Sequence, residues 1–205
     1  HTDALPNGNI ASASAIRAAV RSGQQESIAP CVPPYVLNDL QYFADDAIFK
    51  KFAHLTALTA DADMLSRIID CTEGLENRIK SCAREADGFD SLIGAVTTKR
   101  YISSRIRRIL ASAVLGIGAS LVRAALEEPL YLKILALRKS RAEELLREFG
   151  RSKFPILARQ NEIKSLKGAA AEAYQKDLLA GHVYRLCCKA PEKEQLLPVM
   201  GDDKL

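Results

Sequence analysis

A chain of 205 residues with 48% hydrophobic and 26% charged residues, and only 11 glycines and 8 prolines, is neither collagenous, mucin-like nor wholly disordered. It is long enough to bury roughly 70% of its unfolded surface, so neither a metal nor a disulfide is needed to hold it together. The formal charge of +4 hides a division: residues 1–98 hold 8 Lys/Arg against 13 Asp/Glu, residues 99–205 hold 21 against 12, and an anionic partner would meet the second half.

Residues 12–21 read as a short helix, with Ser12 or Ser14 as its cap and Gly23 as its stop. Three prolines within residues 28–34 mark a linker and a candidate domain boundary. Helices are then predicted over 47–58, 62–69, 73–86 and 89–97, punctuated by Gly74 and Gly88, with Asp61, Thr72 or Asp87 as caps. In the next unit Ile102, Ile106, Ile109, Leu110 and Ala113 fall within about 80° of a helical wheel, and Ser104, Arg105, Arg107 and Arg108 take the remainder.

A helix over 121–127 stops at Pro129, and 131–137 alternates as a strand. Ser140 with Glu143 makes a capping box for a helix ending at Gly150, and 154–157 is a second strand, parallel to the first. Helices over 168–179 and 182–188 and a polar tail with Pro191 and Pro198 close the chain. The fold class is mainly α-helical with a small α/β element around residues 130–158. The longest mostly apolar stretch, 109–122, carries two glycines and falls short of the ~20 residues that cross a bilayer. No basic segment followed by an apolar one opens the chain, so a soluble, cytoplasmic protein with no membrane partner is expected.

Two segments carry candidate chemistry. Ser12 and Ser14, beside the first turn of a helix, present hydroxyls and free backbone N–H groups to an anion, with Arg17 one turn inside. The same pattern also suits a capped surface helix with a solvated arginine. Between Lys99 and Arg108 five positive charges occur in ten residues with no acid. There Lys99, Arg100, Arg105, Arg107 and Arg108 would grip nucleic-acid phosphates, and Tyr101 would stack on an unpaired base if its ring is exposed. An amphipathic helix with a solvated face is the competing account, which the lack of acids disfavours.

No catalytic residue is assigned: His54 reads as a packing residue near Phe49, Phe52 and Leu58, and no Ser/His/Asp or Cys/His arrangement is present. Five scattered cysteines without a CxxC give no zinc site and read as free thiols of a reducing compartment.

The order of these motifs carries a resemblance. Ala11-Ser12-Ala13-Ser14-Ala15-Ile16-Arg17 resembles the Ile-Ser-Ser-Thr-x-Ile-Arg phosphate-binding signature of HIGH-type nucleotidyltransferases, with Ser12 on its first serine, Ala13 on its second, Ser14 on its threonine and Arg17 on its arginine, so one hydroxyl is missing. Residues 73–79 (beginning Glu73-Gly74-Leu75), 98–109 and 131–136 follow it in the order seen in the bacterial tRNA(Met) cytidine acetate ligase family, which the chain resembles over about residues 1–190. The resemblance implies that ATP, with Mg2+, activates acetate as acetyl-adenylate, which then acetylates N4 of the wobble cytidine of elongator tRNA(Met). It also implies that Ser12, Ser14 and Arg17 hold the nucleotide phosphates and that the basic half binds the anticodon arm.

Members of that family are about twice this length and carry a His-x-Gly-His motif in an N-terminal Rossmann-like half. No such motif occurs here, and His1-Thr2 resembles the end of the family's later Arg-x-Gly-Ala-Gly-Tyr-His-Asp stretch. The resemblance then implies a C-terminal portion only: residues 1–30 as the tail end of the nucleotidyltransferase domain, residues 31–205 as a mostly helical tRNA-binding domain, no ATP bound to the fragment and no activity alone. The rival readings are a non-catalytic helical nucleic-acid-binding domain and a helical protein-interaction scaffold.

Overall fold

The computed structural model describes residues 10–40, 46–188 and, as backbone, 199–201. The expected tail with Pro191 and Pro198 and the His1-Thr2 pair lie outside the described residues.

Helix α1 (Ala13–Arg21) opens at Ser12, whose extended backbone lets Oγ accept the Ala15 N–H at 3.1 Å, so Ser12 rather than Ser14 is the cap. The proline-rich stretch is more than a linker. A 3-10 turn over Gln25–Cys31 buries Ile28, and Pro34 opens α2 (Pro34–Asp39), where the N–H it lacks would have had no helical partner.

Five helices build the main core: α3 (Asp46–Thr59), α4 (Ala62–Ser66), α5 (Leu75–Glu85), α6 (Phe89–Val96) and α7 (Ser103–Leu115). Ala53 and Ala57 bring α3 close to its neighbours, and Leu65, Ile79, Leu92, Ile106 and Leu110 are fully buried around them. Each such side chain contributes about 1.5–3 kcal/mol by leaving water. Asp61 caps α4 through a bond from the Met64 N–H at 2.6 Å, whereas Gly74 and Gly88, not Thr72 and Asp87, stand at the caps of α5 and α6. The apolar stripe of α7 holds for Ile106, Ile109, Leu110 and Ala113. Ile102 departs from it: the helix begins one residue later, and Ile102 is 57% exposed.

Gly116, at φ 63, turns the chain from α7 into α8 (Ala119–Glu127). Among the described residues no single helix is long and apolar enough to cross a membrane. Only α7 and α8 together would suffice, and they meet at 92° with the apolar face of α7 already in the core.

The α/β element is present but divided. Strand β1 (Leu132–Lys133) pairs in parallel with β3 (Ile156–Leu157), Leu132 opposite Ile156, in the expected relation. Between them, β2 (Ala136–Arg138) pairs instead with β4 (Val199–Gly201), at the end of the chain. The Ser140/Glu143 capping box does not form, because a 3-10 turn occupies Lys139–Arg141 and α9 (Ala142–Phe149) starts too late for Ser140 to cap it. After α10 (Gln160–Ile163), the two predicted closing helices are one, α11 (Gly168–Cys187), running through Gly181. Packing against α3, α7 and α8 offsets the roughly 1 kcal/mol that an interior glycine costs a helix. A second core joins α11 to the α/β element through Leu157, Leu166, Ala170 and Tyr174, with Tyr131 edge-on to Tyr174 at 5.7 Å.

Candidate functional site

The first site is the start of α1. Ser12, Ala13, Ser14 and Arg17 are exposed, while Ala15 and Ala19 anchor the opposite face. Ser12 Oγ accepts one backbone N–H, so its own proton is free to be donated. The N–H groups of Ala13 and Ser14 face outward from the first turn, which holds no acid. Arg17 donates to Ser14 Oγ at 3.4 Å, a long contact on an exposed surface, so both groups are available to an anion. One turn further, Arg21 pairs with Asp46 at 3.1 Å and ties α1 to α3. Ser12, Ser14 and Arg17 therefore share one helix end and one exposed face.

The basic segment before and within α7 is not the bare cationic patch its sequence suggests. Asp70, Glu73 and Asp90 come to it from other elements. Arg100 pairs with Glu73 at 2.7 Å, Arg107 with Asp90 at 3.3 Å, and Arg108 lies 3.8 Å from Asp70. Arg105 turns inward and donates to the Asp70 carbonyl oxygen from Nε at 2.9 Å and Nη2 at 2.6 Å, and to Thr72 Oγ1. Its guanidinium and that of Arg100 lie 5.6 and 5.7 Å from the Tyr101 ring centre. The condition on which Tyr101 was expected to stack on a base, an exposed ring, is not met: the residue is 9% exposed and its hydroxyl donates to the Glu73 carbonyl oxygen at 2.9 Å. Lys99 has no ion-pair partner among the described residues.

This arrangement offsets a repulsive geometry. Three arginines in the opening turns of α7 oppose the positive end of the helix dipole, and the acids of the 70–73 turn and α6 stand where they relieve it. The Arg100 guanidinium, hydrogen-bonded to Glu73, lowers that carboxyl's pKa, and Lys50 at 2.9 Å does the same for Asp90. Sequence reasoning missed these counterions because they lie 17 to 38 positions away from the arginines they meet. It also missed Arg78, which donates to the Val96 and Ala95 carbonyl oxygens at 3.0 and 2.6 Å and closes the C-terminus of α6. The 73–79 motif is thus structural at both ends, through Glu73 and Arg78.

His54 is half-buried with Nε2 3.2 Å from the Ala83 carbonyl oxygen, a packing position. No disulfide joins any two of Cys31, Cys71, Cys82, Cys187 and Cys188, and burial pushes the Cys71 pKa up to about 11. Among the described residues no three His, Cys, Asp or Glu side chains come together as a metal site.

A family model described as HIGH nucleotidyl transferase matches residues 1–197. The chain belongs to that family. Two curated relatives named tRNA(Met) cytidine acetate ligase are similar to it: one from Thermoanaerobacter pseudethanolicus, 30% identical over 89% of this chain and 46% of its own length, and one from Leuconostoc citreum, 28% identical over 91% and 47%. The chain spans about half the length of these relatives. The solved structure of Thermotoga maritima TmcAL bound with alpha-thio ATP shares the fold with a TM-score of 0.82, at 21% identity, over 96% of this chain and 53% of that one.

These matches correct the reading of the HIGH nucleotidyl transferase chain as merely a C-terminal portion whose nucleotidyl transferase part lies elsewhere. The family model runs through residues 1–197, so the assignment applies to these residues themselves. The chain has no His-x-Gly-His, so the match rests on other residues, and inactivity inferred from that missing motif is overturned with it. So is the placing of the nucleotidyl transferase domain in a missing, Rossmann-like N-terminal half, since the family model matches residues 1–197 of this chain. The expectation of no ATP on these residues does not stand either, because it placed the nucleotidyl transferase part elsewhere, whereas the family model covers residues 1–197.

Proposed function

We propose that this chain serves an ATP-dependent ligase that activates acetate as acetyl-adenylate and transfers the acetyl group to a cytidine N4 of tRNA(Met), in the cytoplasm. The observation that carries this reading is the start of α1 in a HIGH nucleotidyl transferase chain: two exposed hydroxyls, two outward N–H groups and Arg17 at one acid-free helix end. ATP places its phosphates there. The Ser12 hydroxyl and the Ala13 and Ser14 N–H groups donate to phosphate oxygens, while Arg17 meets the charge that gathers on pyrophosphate as the acyl-adenylate forms.

On this reading residues 1–30 serve the nucleotide and residues 31–205 the tRNA, whose anticodon arm they hold so that the cytidine amine meets the activated acetyl group. Lys99 and the outer edges of Arg100, Arg107 and Arg108 contact phosphate by exchanging a carboxylate for it, and Arg105 acts from beneath as a positioning residue. The relatives' shared name supports the choice of tRNA and acetate.

Calorimetric titration of the chain with ATP tests the nucleotide part. Binding that weakens in Arg17→Gln at unchanged melting temperature supports it; equal ATP affinity in the two proteins assigns Arg17 to the surface alone.

A further inference from the structure

Pairing of Arg100, Arg107 and Arg108 with acids offsets part of the charge of the α7 segment, and a second excess of positive charge stands elsewhere. Residues 132–167, the α/β element, hold ten Lys/Arg against four Asp/Glu. Two of those acids are consumed locally, Glu144 by Arg141 at 2.9 Å and Glu148 by Arg151 at 3.0 Å. A third, Glu162, accepts the backbone N–H groups of Ala158 and Arg159, both at 2.7 Å. The fourth, Glu143, stands one turn before Arg147 on α9, and among the described residues Arg147, Lys153 and Lys164 are exposed and make no ion pair.

A groove of about 230 Å³ lies between α9, the following segment with β3, and α10, lined by Leu146, Phe149, Ser152, Phe154, Glu162 and Ser165 among others. Each cation adjoins a lining residue in the chain: Arg147 follows Leu146, Lys153 stands between Ser152 and Phe154, and Lys164 precedes Ser165. Phe154 is 49% exposed, although a phenylalanine gains by burial. Its backbone is held, because Ser152 Oγ accepts the Phe154 N–H at 3.0 Å. Ser152 keeps its hydroxyl proton to donate, and Ser165, which donates to the Glu162 carbonyl oxygen at 2.6 Å, keeps lone pairs to accept.

We propose that this groove binds one unpaired base of a single-stranded RNA segment, stacked on Phe154, with the flanking phosphates held by Arg147, Lys153 and Lys164. An exposed ring in a groove whose lining residues adjoin exposed, unpaired cations along the chain is the combination that suits single-stranded nucleic acid, the ring for a base face and the cations for the backbone. The serine pair meets a base edge. An acidic peptide would use the cations and leave the ring without a partner. The assignment rests on the RNA-binding part of the proposed function and gives it a location, supplying the exposed aromatic that Tyr101 does not.

The test measures binding of the full chain to three fluorescent probes: an RNA stem–loop with an unpaired loop, a paired RNA duplex of equal length, and polyglutamate. Phe154→Leu, which keeps an apolar side chain, should weaken stem–loop binding by roughly tenfold while leaving duplex binding unchanged. Arg147→Gln with Lys153→Gln should weaken both RNAs and lower the salt slope by up to about two phosphate contacts. Unaltered stem–loop affinity in both variants overturns the groove but not the RNA reading, provided the unsubstituted chain binds. Absence of RNA binding by the unsubstituted chain overturns the RNA reading itself, and polyglutamate binding more tightly than either RNA identifies an acidic protein as the occupant instead.

Discussion

The Tyr101 hydroxyl donates to the backbone carbonyl oxygen of Glu73 at 2.9 Å, tying the entrance of α7 to a turn in which two non-glycine residues, Asp70 and Glu73, have left-handed backbones at φ 66 and 64. Such a conformation costs on the order of 1–2 kcal/mol per residue and persists where surrounding contacts fix it. Here the contacts are specific: Tyr101 takes the Glu73 carbonyl and Arg105 takes that of Asp70. The basic segment holds the turn before it holds any ligand.

Arg105 and Arg108 should consequently differ, although both lie off the apolar stripe. Arg105→Gln removes charged hydrogen bonds to a strained carbonyl and is expected to cost about 1.5–3 kcal/mol, a fall of several degrees in melting temperature. Arg108→Gln breaks one exposed pair and should cost at most about 1 kcal/mol. Thermal denaturation of the two single variants checks this, and equal shifts would remove Arg105 from its structural role.

Tyr101→Phe keeps the buried ring and deletes its hydroxyl. The Glu73 carbonyl then loses a donor, for an expected loss of about 1 kcal/mol. RNA affinity should not change, because the ring is enclosed in the wild-type protein. A filter-binding comparison showing weakened RNA affinity at full stability would return Tyr101 to the interface.

Acid should loosen the same region. The Glu73 and Asp90 carboxyls are held below their ordinary pKa values by hydrogen bonds from Arg100 and Lys50, so the stability they contribute is complete above the unfolded-state values and is lost as pH falls through the lower folded-state values. Melting temperatures recorded from about pH 5 to about pH 2 should fall more steeply for the unsubstituted chain than for Glu73→Gln with Asp90→Asn. Parallel curves would show that these pairs carry no pH-dependent stability.

Ser12→Ala should separate folding from ligand binding at α1. Loss of the cap costs about 0.5–2 kcal/mol. Ser14→Ala, which removes no cap, should leave the melting temperature unchanged while weakening ATP binding measured by calorimetry. An ATP affinity indifferent to both substitutions would leave α1 a capped helix and nothing more.

The thiols should react in an order set by burial. Cys31 and Cys82 are partly exposed, whereas Cys71 is buried with its pKa raised to about 11, leaving little thiolate at neutral pH. Mass spectrometry during alkylation of the native protein should show Cys82 modified well before Cys71, and the reverse order would contradict the packing of the 70–73 turn.

Much of the helical body was legible because its signals are local. Ser12 followed by alanines, Asp61 before α4, and the spacing of Ile106, Ile109, Leu110 and Ala113 fix caps and buried faces within a few residues of chain. The parallel relation of β1 to β3 also followed from adjacent pattern, since a short helix between two apolar runs favours it. What the tertiary structure decided is long-range. The partner of β2 lies some 60 positions onward, and no local periodicity can name it. The charge of α7 depends in the same way on Asp70, Glu73 and Asp90: sequence counts charges along the chain, but their field depends on distance in space, and folding brings acids from other elements within 4 Å of those arginines.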